Sequence, residues 1–230
     1  MKQEIGVLVL FLIVFLYDTF MPRNSQSKLP VVATVLMGVL TVWSACSLFC
    51  PCCQGNVVAF GGMYETSQII NAIKVVLNIG VFIVLLQSIK WANGEMMIMR
   101  RGEFYELLLV TLFGMFLMIS ARHFLVFIIG LECASLPLAA MVAFDKKRYE
   151  SNEAAVKYML TAVFSSAIFM MGISFVYALC GSLYFEDIYF SIKGADSTML
   201  IVALAFVMSG VGFKLSLVPF HLWTADVYQG

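Results

Sequence analysis

Hydrophobic residues in this chain come in long, nearly unbroken runs, not in the alternation of a half-buried strand or the one-sided stripe of a surface helix. Seven runs have about the length, roughly 20 residues, that a helix needs to cross a bilayer. They cover residues 5–20, 29–49, 69–89, 105–120, 124–144, 156–180 and 198–222. Helices are required, because an open strand would leave backbone groups unpaired in lipid. The pattern therefore predicts an all-α polytopic membrane protein of about seven transmembrane helices. Gly210 and Gly212 precede Lys214 in the last run and Pro219 follows it, which predicts a seventh helix broken near that lysine. At the N-terminus, Lys2 and Glu4 cancel and no small-residue cleavage site follows the first run. A retained span is expected there over a cleaved signal peptide.

Composition agrees. The chain is 62% hydrophobic and only 12% charged, about half the charged share of soluble domains, and its mean hydropathy is +0.95. The formal net charge is zero and no basic stripe occurs, so nucleic acid is not an expected partner. Basic residues set the orientation. The odd loops hold Arg23 and Lys28, then Lys90, Arg100 and Arg101, then Lys146, Lys147 and Arg148, whereas the even loops offer Arg122 and Lys193. The odd loops are thus predicted to be cytoplasmic and the N-terminus to lie outside.

Several polar positions have modest readings. Cys46, Cys50, Cys52 and Cys53 cluster at the second loop. Adjacent cysteines fit a tetrahedral zinc site poorly, an outside location permits a disulfide, and buried packing at a helix end is the plainer reading. No metal site is expected. Cys133 and Cys180 read as packing. Lys74, about one turn inside the third span, is expected to snorkel to the interface, and Asn78 to bond to a neighbouring helix. Glu153 and Lys157 are four apart and can pair on one helix face. Lys157 is then expected at the membrane edge, with Ser165 and Ser166 deeper and able to hold water.

Two charges stand out as lying within lipid depth: Glu132 in the fifth run and Lys214 in the seventh. Such residues mark pathways more often than packing. Pro137 frees backbone carbonyls beyond Glu132, and Gly130, Cys133, Ala134 and Ser135 let another helix come close. Burial disfavours both charged forms, while proximity of the two favours both. A change in their separation or hydration therefore moves a proton onto or off Lys214. On straight helices their depths differ by about 10 Å, so a direct pair requires a tilted or broken seventh helix, or water between. His221, seven residues beyond Lys214, is expected on the same face, and histidine is a residue type suited to passing protons on.

The stretches Gly130-Leu-Glu132-Cys-Ala-Ser-Leu-Pro-Leu and Gly212-Phe-Lys214-Leu-Ser-Leu-Val-Pro-Phe-His221-Leu-Trp-Thr-Ala-Asp-Val-Tyr-Gln-Gly230 resemble the subunit N family of the proton-pumping NADH–quinone oxidoreductase, respiratory complex I. Glu153-Ala-Ala-Val-Lys157-Tyr and the early lysine of the third span add weaker support. The resemblance implies an antiporter-like membrane subunit, with residues 1–103 forming three leading helices and 104–230 the start of the first repeat, cut before the eighth helix. It implies that Glu132 modulates Lys214, that Lys157 and His221 belong to the same hydrophilic path, and that water wires carry the protons. It also implies a non-redox subunit of a translocase in the inner membrane of a bacterium. The expected partners are other membrane subunits, lipid, protons and internal water; NADH, FMN, iron–sulfur clusters and quinone would be held by partner subunits and no cofactor by this chain. Ala225 stands where the family motif has proline, and the family has about twice as many helices, so the chain is expected to be a front half. The alternatives are a subunit of a multi-chain sodium–proton antiporter, a purely structural membrane subunit and, of a different class, a seven-span receptor.

Overall fold

The computed structural model describes residues 1–20, 28–49, 56–92, 94, 100–194 and 197–229. Its seven long helices are α1 (Lys2–Phe20), α2 (Leu29–Phe49), α3 (Gln68–Ala92), α4 (Arg101–Ser120), α5 (Phe124–Val142), α6 (Tyr149–Cys180) and α8 (Ser197–Lys214). Each is long and apolar enough to cross a membrane. Among the described residues there are also two short α-helices, α7 (Phe185–Ser191) and α9 (Leu222–Gln229). A small hairpin was not foreseen: β1 (Val57–Ala59) pairs antiparallel with β2 (Tyr64–Thr66), Val57 opposite Thr66. Three-residue strands are too short to leave a periodic signal.

The chain forms two compact units, Met1–Ala121 with Ile129–Pro137, and Arg122–Ile128 with Leu138–Gly230. In the first, Val7, Leu10 and Val14 of α1, Ala33 and Met37 of α2, and Leu109, Leu112 and Phe116 of α4 are all buried. Large apolar residues such as Val35, Val39 and Val42 of α2 are exposed instead, the surface a helix presents to lipid. Lipid supplies no hydrophobic drive between helices, so close backbone packing takes its place. A Cβ on Gly114 of α4 would stand 2.7 Å from the carbonyl oxygen of Gly130 in α5, and one on Gly130 would stand 2.7 Å from Met118 N. The small residues around Glu132 thus do admit another helix.

The second unit rests on the same device. A Cβ on Gly172 of α6 would meet Val207 N of α8 at 2.7 Å, and one on Gly210 of α8 would meet the Phe169 Cβ at 2.6 Å. α6 ends at Gly181, whose φ of 68° is the left-handed conformation that closes a helix. Beyond it, Val176, Ile188 and Ala203 form a small core with Phe124, Phe175 and Ile192 packed on it.

The expected break in the last span is present. α8 stops at Lys214 and the chain runs without helix to Leu222. The end is a Schellman arrangement: Leu217 N bonds Gly212 O at 2.8 Å and Ser216 N bonds Phe213 O at 3.1 Å. Ser216 takes the left-handed conformation, φ 55°, that this motif requires.

Candidate functional site

In the second unit, Lys214 is the final residue of α8. The last carbonyls of a helix carry the negative end of its dipole, which favours a cation there. The break therefore places the ammonium stem at a helix terminus inside the apolar run. Lys214 lines a cavity of about 30 Å³ with Tyr158, Thr161, Ala162 and Ser165 of α6 and Trp223 of α9. That is room for about two water molecules. Ser165 is buried and its hydroxyl donates to Gly210 O at 3.2 Å, tying α6 to α8 one turn before the lysine. Trp223 Nε1 donates to Phe213 O at 3.2 Å, and Thr224 Oγ1 bonds Ser216 Oγ at 2.6 Å. Both contacts hold α9 against the broken end.

Lys157 pairs with Glu153 at 2.9 Å, as the four-residue spacing predicts. It also pairs with Asp226 of α9 at 2.7 Å, a contact that sequence spacing did not reveal, since the two lie 69 residues apart. These groups are half exposed and line an open polar cavity of about 160 Å³ with Glu150, Ala154 and Gln229. Solvent screens such a pair, so it holds α9 only weakly.

His221 is not where its spacing predicts. The helix ends between Lys214 and His221, so a seven-residue interval no longer means one face. His221 is exposed and sits just before α9, its carbonyl accepting from Thr224 N at 3.1 Å.

Glu132 lies in the first unit, half-buried on α5. Buried Pro137 continues the same helix; lacking an N–H, it leaves the Cys133 carbonyl without its helical donor.

The first unit also holds an ionic site that was missed. Lys74 does not snorkel: it is fully buried, its Nζ donating to Glu4 of α1 and, at 3.3 Å, to the Tyr64 hydroxyl. Tyr64 donates to the same carboxylate. The Tyr64 and Phe116 rings face the ammonium, with centroids at 5.4 and 5.9 Å. Burial, with the bond to Glu4, pushes the Tyr64 hydroxyl far above the ordinary phenol range, so it remains a donor. By sequence alone Glu4 only cancels the charge of Lys2; α1 begins early enough to bury it. As expected, Asn78 bonds another helix, donating to Ser44 Oγ of α2 at 3.3 Å.

Cys46 is exposed, and Cys133 and Cys180 are half-buried. The expectations for Cys50, Cys52 and Cys53 lie outside the described residues.

Residues 121–230 match the family model described as NADH:quinone oxidoreductase/Mrp antiporter, TM. The whole chain is 44% identical to NADH-quinone oxidoreductase subunit N of Azobacteroides pseudotrichonymphae genomovar. CFP2, covering 46% of that protein. It is also 44% identical to the subunit N of Phocaeicola vulgatus, covering 47%. The chain spans about half the length of the curated relatives it matches. Among solved structures, respiratory complex I from Thermus thermophilus with bound aureothin contains a similar chain. The TM-score is 0.76 at 26% identity, over 99% of this chain and 47% of that one. An archaeal membrane-bound sulfane sulfur reductase shares the fold, with a TM-score of 0.78 at 19% identity.

Proposed function

We propose that this chain, which resembles NADH-quinone oxidoreductase subunit N along its whole length and carries the antiporter-like membrane domain over residues 121–230, translocates protons as part of a respiratory complex. Electron transfer takes place in partner subunits, which hold the NADH, flavin, iron–sulfur and quinone sites. The subunit works in the inner membrane of a bacterium with its N-terminus outside. The observation that carries this reading is Lys214, set at the broken end of α8 and facing a cavity with room for water.

Lys214 takes up a proton from water in that cavity and holds it against the carbonyl end of α8. Glu132 modulates that hold: an approaching carboxylate favours the charged lysine, and its withdrawal favours release. Lys157 and His221 serve the hydrophilic approach. The chain binds no redox group and supplies charge, position and hydration alone.

Glu132→Gln in the full-length, assembled complex tests this reading. Protons moved per electron are expected to fall while NADH still reduces quinone; an unchanged ratio removes Glu132 from the relay. The family model also covers Mrp antiporters, so a sodium–proton antiporter subunit is the second reading. Rescue of sodium tolerance in an antiporter-deficient cell would favour it.

A further inference from the structure

Along one face of α6 the outer polar cavity and the inner cavity at Lys214 follow one another. Ala154 and Lys157 line the first, Tyr158, Ala162 and Ser165 the second, and no lining residue is shared. Their centres are about eight residues apart on the helix, roughly 12 Å. α9 runs back along the same face: Asp226 and Gln229 line the outer cavity and Trp223 the inner one. Of the inner cavity's lining residues, the two next to the ion-paired positions on α6 and α9 carry rings, Tyr158 and Trp223, with centroids 5.3 Å apart.

We infer that the Tyr158–Trp223 ring pair is a gate on the aqueous route from the outer carboxylates to Lys214, and that Asp226 is the positioning residue that keeps it shut. Trp223 and Asp226 are three apart on α9, so they share a face. The Lys157–Asp226 contact at 2.7 Å therefore acts together with the Trp223 and Thr224 hydrogen bonds to set where the indole lies. Glu153 offers Lys157 a second carboxylate at 2.9 Å on its own helix. When Lys157 turns wholly to Glu153, α9 loses its ion-pair tie to α6, and Trp223 can swing from Tyr158 as its own bond to Phe213 O gives. The exchange breaks one solvent-screened ion pair and keeps the other, so it needs no large input. Phe213 O and Ser216 Oγ, which accept from Trp223 and hold Thr224, are the contacts the opening strains or releases. The gate gives the proposed proton carrier a closed and an open access, and it rests on that reading of Lys214 for its purpose alone.

The test is solvent access. Ala162→Cys, in a full-length chain whose native cysteines are replaced, is assembled in membranes and treated with a small cationic methanethiosulfonate. Labelling is expected to be slow with the native gate and to rise roughly tenfold or more in Trp223→Ala and in Asp226→Asn. Asp226→Glu, which keeps the charge, is expected to restore slow labelling. Lys147→Cys, exposed in the loop before α6, should react at one rate in every background. Equal labelling of Ala162→Cys with and without Trp223 or the Asp226 charge would overturn the gate. Faster labelling in Asp226→Asn but not in Trp223→Ala would overturn it too, since the ring would then block nothing. Asp226→Asn preserves volume and serves if Trp223→Ala does not assemble. The readout is independent of pumping, so a proton-silent Lys214 would leave it intact.

Discussion

Gly210 of α8 lies against Phe169 of α6 so closely that a Cβ on the glycine would stand 2.9 Å from the Phe169 backbone nitrogen. Backbone atoms cannot move aside as a side-chain tip can. One turn later α8 ends at Lys214, so this contact fixes where the lysine sits. Gly210→Ala is expected to push the helices apart at a cost of about 1–3 kcal/mol, read as a lower melting temperature in detergent. Gly80→Ala on α3 has open space around it and should leave the melting temperature unchanged or slightly raised.

The buried Glu4–Lys74 pair joins α1 to α3 under the Tyr64 ring. Glu4→Gln strands the Lys74 ammonium and should cost about 3–5 kcal/mol, whereas Lys74→Met leaves Glu4 its 3.4 Å contact with the Met1 ammonium and should cost less. The double variant removes both charges together and should recover most of that loss. A double-mutant cycle by thermal unfolding measures the coupling; additive losses would show that the pair contributes no mutual stabilisation.

His123 begins α5, its Nδ1 accepting from Leu125 N at 3.1 Å, and its ring packs edge-on to Tyr184 with centroids 4.7 Å apart. Burial lowers its affinity for a proton below the ordinary value of 6.5. The unfolded chain therefore takes up a proton first as pH falls. The corner keeps its full stability above about 6.5 and loses it progressively below, through the depressed value of the folded state. The protection factor of the Leu125 amide, with intrinsic exchange divided out, should fall over that window, and His123→Asn should make it pH-independent there.

Much of this fold was legible because the bilayer imposes length and apolarity on each span, and those are written in consecutive residues. The break at Lys214 was equally local, signalled by Gly210, Gly212 and Pro219. Contacts between distant segments were not. Asp226 meets Lys157 only because α9 folds back on α6, and no spacing rule links positions 69 residues apart. Lys74 was misread for a related reason: snorkelling is the expectation for an unpartnered lysine near a helix end, and its partner lies on α1. His221 was misplaced because a helical period was carried across residues where the helix had stopped.

Lys214 is the centre of the account, and the most direct measurement is proton translocation per electron by the full-length, assembled complex carrying Lys214→Ala. The ratio is expected to fall while assembly and NADH oxidation by quinone persist. A ratio equal to that of the unaltered complex would contradict the account and leave Lys214 a structural charge.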